Sequence, residues 1–341
     1  MALYPLLLEP IYKEKVWGGR ALERFGRHLP GGAGTRIGES WELADLDRTS
    51  PSGGGGGGAY SRIRNGPLSE RFLHDALLDF GGELSGGLRA TRGFPLLVKY
   101  LDAREHLSVQ VHPSPAYAAD HPEAHLKSEA WYIVDAEPDA VLYKGVREGT
   151  TRESFARAIE EGTVEDLLIA VPAVPGECHY LPSGTCHALG GGVLVAEVQT
   201  PSDTTFRVYD WGRTDRELHV EQALDCIDYG PVDASAYEPG SEREVDGATV
   251  RHLVACEHFH VHRWRAPAGG TWRLGDGPVS VVMFLSGAGT LRWGEAGRAV
   301  EVRAGDTVLL PEALEGTDLT TDEPLELLEI TFPDPSEEVD R

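Results

Sequence analysis

Gly176, Pro182, Gly184 and His187 stand in the spacing G-x5-P-x-G-x2-H, and this spacing constrains the chain more than any other feature. Glycine reaches backbone angles closed to other residues, and proline interrupts a strand because it cannot donate to the ladder. Together they bend a strand back on itself and deliver His187 on the returning strand, toward an enclosed side. A neutral imidazole held there is the commonest protein ligand for a metal ion.

A partner lies upstream in Leu107-Ser108-Val109-Gln110-Val111-His112-Pro113. The alternation is strict. Leu107, Val109 and Val111 face one way, and Ser108, Gln110 and His112 the other. The same pattern also suits a strand whose polar side simply faces water. Here the apolar side is expected to pack on an outer layer while the polar side lines a cavity, where Gln110 and His112 reach one ion. Glu129, in Lys127-Ser128-Glu129-Ala130-Trp131-Tyr132, opens another apolar run. Gln110, His112, Glu129 and His187 make a nitrogen and oxygen set without thiolate. Such a set suits a divalent ion such as zinc, manganese or iron, with positions left open for water or substrate. The two halves resemble the metal-binding signature of the cupin β-barrels.

The 341 residues, 41% of them hydrophobic, suffice for one large or two ordinary domains with a sizeable core. No apolar run approaches the ~18 residues that mark a membrane span. The start Met1-Ala2-Leu3-Tyr4-Pro5 has no basic n-region, so a cytoplasmic protein is expected. Cys178, Cys186, Cys226 and Cys256 show no metal or disulfide spacing and are expected to be reduced. Cys186 adjoins His187 but points to the opposite face of its strand, which removes it from the ligand set.

A net charge of −24 makes nucleic acid and anionic membranes poor partners. It also repels a sugar phosphate, so a site for one must bring its own cations. Lysine occurs only at 13, 15, 99, 127 and 144 among 31 basic residues; the rest are arginine. Ammonium is compact and its pKa is movable, which arginine cannot match. Lys99 and Lys127 flank the expected ligands.

Along the chain, Pro10 to Gly19 reads as an extended entry followed by a turn, and Ile37 to Leu46 as a strand. The six glycines Gly53 to Gly58 are expected to form a loop; no Lys-Ser/Thr follows to make them a phosphate cradle. Ser69 to Leu78 is expected to be a helix capped by Ser69, and Phe94 to Leu101 a strand. Thr151–Gly162 and Thr163–Leu168 read as two short helices, each with a threonine cap. From Gly176 to Trp211 the pattern is again β, and a second β segment runs from about Val245 to Phe332. There Gly305 and Pro311 repeat the x5 spacing, but the place of the histidine holds Gly316 and Ala313 stands at 313. This second barrel is therefore expected to lack its metal. His258, His260 and His262 alternate along a strand and read as solvent-facing, because no downstream His or Glu completes a set.

Phe94-Pro95-Leu96-Leu97-Val98-Lys99-Tyr100, the Leu107–Pro113 stretch, Lys127-Ser128-Glu129, Gly184-Thr185-Cys186-His187-Ala188-Leu189-Gly190 and Asp203-Thr204-Thr205-Phe206-Arg207-Val208-Tyr209-Asp210 occur in one order. In that order they resemble the type I mannose-6-phosphate isomerases, nearest to their short bacterial branch. The likeness runs motif by motif to about residue 230 and by general pattern beyond. Ser128 and Cys186 depart from the residues usual in the family, and neither is a ligand position. The resemblance implies a mainly β bicupin: a catalytic barrel over residues 1–240 with a small helical insertion near 113–175, and a barrel over 241–341. It implies one zinc ion per chain, held by Gln110, His112, Glu129 and His187, with Arg207 as the catalytic arginine. Lys99, Ser108, Lys127 and Glu197 are implied to line the cleft.

The chemistry of those residues agrees. Exchanging an aldose and a ketose moves a proton between C1 and C2 through an enediolate, which needs a cation at the oxygens and a proton-shuttling group. Arg207, with Phe206 and Val208 turned the other way, suits bidentate oxygen binding; Lys127 and Glu197 are candidates for the shuttle. The expected partner is a sugar phosphate, with the chain acting as a monomer. Two other readings remain open at this point: an iron-dependent cupin dioxygenase, and a non-enzymatic sugar-binding bicupin.

Overall fold

The computed structural model of the chain describes residues 2–49, 57–86, 88, 93–230, 240–275, 279–314 and 316–333. It is mainly β, with few helices. The first half is built from two antiparallel sheets. One has six strands in the order Cys178–Leu181, Glu129–Ala136, Val193–Gln199, Leu97–Ala103, Ile11–Gly19, Ile37–Leu43. The other has five: Leu168–Pro172, Val141–Val146, His187–Leu189, Val109–Val111, Phe206–Tyr209. Between them Trp17, Leu101, Trp131, Ile133, Leu189 and Val195 form an apolar cluster.

Period-two alternation explains how this interior also holds charge. Lys99 shares a face with Leu101, Glu197 with Val195, and Glu129 with Trp131. Lys99 lies opposite Glu197, which lies opposite Trp131 on its other side. One continuous inward face is thus apolar toward one end of the strands and charged toward the other. The outer face of the five-stranded sheet packs Val109, Val111 and Val208 against Phe155, Ala158 and Leu224 from the helices Arg152–Glu161 and Val220–Cys226. Cys186 belongs to that outer cluster, where burial pushes its thiol up to about 12. Leu107 departs from the expected alternation. It precedes the extended run Val109–Val111, and packs inside with Trp17 and Trp131.

In the second half an eight-stranded sheet runs Glu242–Val245, Ala248–Ala255, His260–Ala266, Leu325–Thr331, Ser280–Ser286, Thr307–Leu310, Leu6–Glu9, Arg62–Ile63. Facing it is a four-stranded sheet of Gly270–Leu274, Thr317–Thr321, Ala288–Trp293 and Arg298–Arg303, and between them Trp272, Phe284, Leu291 and Leu327 are buried. The two halves share a core in which Val98, Tyr100 and Ala196 meet Val281, Met283, Leu328 and Ile330. The strand Leu6–Glu9 pairs with Thr307–Leu310, so the start of the chain is built into the second half.

Several local expectations change. The helix expected from Ser69 spans Leu73–Phe80, with Phe72 at its N-cap and no side-chain cap. Residues 70–73 are held instead by the strand beside them: Glu70 N donates to Ile63 O, Ile63 N to Arg71 O and Leu73 N to Ser61 O. Backbone bonds outweigh a serine cap there. Thr151 does cap Arg152–Glu161, through the Ser154 amide, and Gly162 closes that helix in the left-handed region. Thr163 caps nothing; Val164–Leu167 is a single 3-10 turn that runs into the strand Leu168–Pro172. The stretch 113–175 carries the helix Pro115–Asp120 besides Arg152–Glu161, and also the strands Glu129–Ala136 and Val141–Val146. Of the glycine run, Gly53 to Gly56 lie outside the described residues. His258 precedes the strand His260–Ala266 and pairs with Glu257. His260 and His262 are half-buried rather than solvent-facing.

Candidate metal centre and active site

His187 begins its strand just after Gly184, whose φ of +92° suits glycine. Across the sheet His187 stands opposite Gln110, and Gln110 opposite Arg207. Three neighbouring strands thereby carry three functional side chains at one level. Glu129 comes from the facing sheet and His112 from just past the end of Val109–Val111. The ligand atoms of His112, Glu129 and His187 all lie within 4.8 Å of one another, and all three residues are buried.

The imidazole orientations are fixed from behind. Nδ1 of His112 donates to the Thr204 carbonyl at 2.9 Å and Nδ1 of His187 to the Thr185 carbonyl at 2.8 Å. Each Nε2 is left with its lone pair turned inward. His112 Nε2 lies 3.4 Å from Glu129 Oε2, and His187 Nε2 3.2 Å from Glu129 Oε1. Burial, together with the Lys127 charge, pushes His112 down to about 3, and burial also lowers His187. Both rings are neutral at pH 7. Burial works against the Glu129 carboxylate, yet Lys127 and the two histidines hold it well below its usual range.

Acceptors facing acceptors in a dry place repel one another unless a cation stands among them. Lys127 Nζ answers part of this, 2.5 Å from Glu129 Oε2 and 3.1 Å from His112 Nε2. Glu129 Oε1 receives no hydrogen bond among the described residues. Gln110 completes the circle with its amide Nε2 3.2 Å from His187 Nε2, and a half-turn of that amide presents Oε1 instead. Two neutral imidazoles, a buried carboxylate and an amide oxygen form a donor set that fits a divalent ion such as zinc.

Beside these groups lies a buried chain of alternating charge. Lys99 Nζ is 3.1 Å from Glu197 Oε1 and 3.9 Å from Glu39 Oε2, while Lys127 Nζ is 3.6 Å from Glu197 Oε1. Trp131 Nε1 donates to Glu197 Oε2 at 3.0 Å. Burial opposes the charge on Lys99, but Glu197, Glu39 and Glu129 together raise its pKa. Glu197 is raised as well, by burial and then by the Glu129 charge, against the pull of the two lysines. Of the buried carboxylates in this cleft, Glu197 is therefore the readiest to take a proton.

Arg207 reaches the same cleft from the five-stranded sheet. Its Nε donates to Ser108 Oγ at 3.1 Å and its Nη1 to the Glu217 carbonyl at 2.8 Å. The Gln110, Lys99, Lys127, Ser108, Glu197 and Arg207 side chains line one cleft, so the structure brings the expected site residues together. It adds others that the sequence reading did not pick out. Lys15, Glu39 and Trp41 enter from the strands Ile11–Gly19 and Ile37–Leu43, and Asp203 and Arg216 from the segments before and after Phe206–Tyr209. Lys15 is 3.1 Å from Glu39 Oε1. The scarcity of lysine was the signal that could have found it, since three of the five lysines, Lys15, Lys99 and Lys127, line this cleft. A wider hollow of about 650 Å³ in the second half, beside Arg64, Glu301 and Thr320, is lined by no histidine or cysteine among the described residues.

Residues 6–142 match the family described as phosphomannose isomerase type I, catalytic domain. The mannose-6-phosphate isomerase ManA of Bacillus subtilis is 34% identical over 320 residues, covering 92% of this chain and 95% of its own length. The chain belongs to the type I phosphomannose isomerase family. The solved structure of the mannose 6-phosphate isomerase from Bacillus subtilis superimposes with a TM-score of 0.84 at 32% identity, over 96% of this chain and 99% of that one. A mannose 6-phosphate isomerase solved with zinc bound shares the fold, with a TM-score of 0.72 at 16% identity over 95% and 98% of the two chains. Among the described residues no helix is long and apolar enough to cross a membrane.

Proposed function

We propose that this protein interconverts mannose 6-phosphate and fructose 6-phosphate, with zinc held by Gln110, His112, Glu129 and His187. The observation that carries the reading is the meeting of two neutral imidazoles and a buried carboxylate beside Lys99, Lys127 and Arg207, in a member of this family. Zinc held there would supply a Lewis acid for the charge that builds on the sugar oxygens.

The protein's own groups do the rest. The proton leaves C2 of the open-chain aldose and returns at C1, while the hydroxyl proton moves from O2 to O1. Glu197, its pKa raised, and Lys127, within 3.6 Å of it, form the pair between which that proton is held. Arg207 keeps its fork turned toward the enediolate oxygens through Ser108 and the Glu217 carbonyl. Lys99 and Ser108 place the substrate, and the cleft cations offset a chain charge of −24, which otherwise repels a dianionic sugar phosphate.

We read the architecture as two cupin-type barrels meeting near residue 240. We read the chain as a cytoplasmic monomer. A cleft lined by lysine, arginine and carboxylate is unsuited to the apolar substrates of a dioxygenase. Elemental analysis of purified protein alongside a coupled hexose phosphate assay tests the proposal. One zinc per chain at the site with turnover supports it; sugar phosphate binding without turnover favours the non-enzymatic reading.

A further inference from the structure

The second half holds another histidine cluster. His262 stands opposite His252 across the paired strands Ala248–Ala255 and His260–Ala266, and His260 precedes His262 by two residues. Direct pairing and period-two alternation put the three imidazoles on one face. Val250 and Trp264, in step with them, belong to the apolar cluster between the eight- and four-stranded sheets, so this is the inward face of the C-terminal barrel. All three histidines are half-buried.

The ring centroids are 4.6 Å apart for His252 and His262, 5.6 Å for His252 and His260, and 6.5 Å for His260 and His262. Imidazoles bound to one tetrahedral ion through Zn–N bonds of ~2.0–2.1 Å have centroids roughly 5 Å apart. His252 lies near that spacing from both partners, and the His260–His262 separation is the one that has to shorten. In the present rotamers their nitrogens do not close on one point, as those of His112, Glu129 and His187 do, so binding needs the rings to turn. The register slips by one residue between His252 and Val254, a bulge of the kind that re-aims a side chain. His252 Nε2 is buried and has no hydrogen-bond partner among the described residues, an arrangement that costs free energy unless something binds it.

We propose that His252, His260 and His262 form a second site for a divalent transition-metal ion, on the inner face of the C-terminal barrel. A set of three imidazoles suits zinc, cobalt, nickel or copper and does not suit magnesium or calcium. Arg243 opposes a cation here, Glu329 stands opposite His262 on the next strand, and the rings have to turn before they bind, so this site fills after the one whose ligand atoms already converge. The signature spacing looked for a third ligand downstream; this one comes from the strand before.

The test is equilibrium dialysis of the zinc-loaded protein against cobalt or zinc, with metal counted per chain. Wild type is expected to hold two ions. His262→Gln and the double variant His252→Ala/His262→Ala are expected to hold one and to keep wild-type isomerase rates and circular dichroism. His187→Ala is expected to keep the ion at the second site. If the double variant does not fold, His262→Gln decides alone. One ion in wild type, or a second ion that persists in a folded His262→Gln variant, overturns the proposal.

Discussion

Lys99 and Glu197 face each other directly across adjacent strands, Nζ to Oε1 at 3.1 Å, and both side chains are almost wholly buried. A buried ion pair costs much of its attraction in lost hydration, and removing one partner leaves the other charge stranded. Lys99→Met is therefore expected to destabilise the protein by about 3 kcal/mol, read from denaturant unfolding. Lys99→Met/Glu197→Leu is expected to recover most of that loss while remaining inactive. Equal stability of Lys99→Met and wild type would contradict the pairing.

Glu197→Gln keeps the shape of the side chain and the Trp131 contact but removes the carboxylate proposed to take the proton. Turnover is expected to fall at least tenfold, about 1.4 kcal/mol on the barrier, with zinc content unchanged. A kcat near that of wild type assigns the proton transfer elsewhere.

His187→Ala removes a proposed ligand whose ring is held by the Thr185 carbonyl. The ion at this centre and isomerisation are expected to be lost together, leaving only the ion of the histidine cluster, while circular dichroism stays close to wild type. Undiminished zinc in the purified variant would remove His187 from the metal centre.

Arg207 is fixed by Ser108 and the Glu217 carbonyl through two different nitrogens of its fork. Lysine cannot reproduce that geometry. Both Arg207→Ala and Arg207→Lys are expected to lower kcat strongly with zinc still bound. A kcat within about threefold of wild type, under roughly 0.7 kcal/mol, denies Arg207 a catalytic role.

Glu39 is buried, which opposes its charge, yet Lys15 and Lys99 lower its pKa from 4.5 to about 2. A folded-state pKa below the unfolded value stabilises the protein above pH 4.5, and this contribution is lost as pH falls toward 2. The pH dependence of unfolding between those limits is expected to flatten in Glu39→Gln. An unchanged slope places the acid sensitivity in other carboxylates.

Much of the site was legible because its residues sit at fixed offsets on short strands. Gln110 and His112 share a face by alternation, and Gly184 sets the bend before His187. Glu39 and Trp41 were not legible, and Lys15 was marked only by the scarcity of lysine. They reach the cleft through the pairing of Ile11–Gly19 and Ile37–Leu43 with Leu97–Ala103, about 55 to 85 residues away in sequence, and nothing local marks that register. The Ser69 cap failed for a related reason: a serine competes poorly with strand-like backbone bonds to Ser61 and Ile63. The His252 contribution was hidden because cross-strand partners leave no spacing rule when a bulge intervenes.

The most direct test follows isomerisation while zinc is added back to chelator-stripped protein. The rate of mannose 6-phosphate conversion is expected to start near zero, climb linearly and level off at one zinc per chain, before the weaker histidine cluster fills. Full activity without metal, or none at any zinc concentration, contradicts the account.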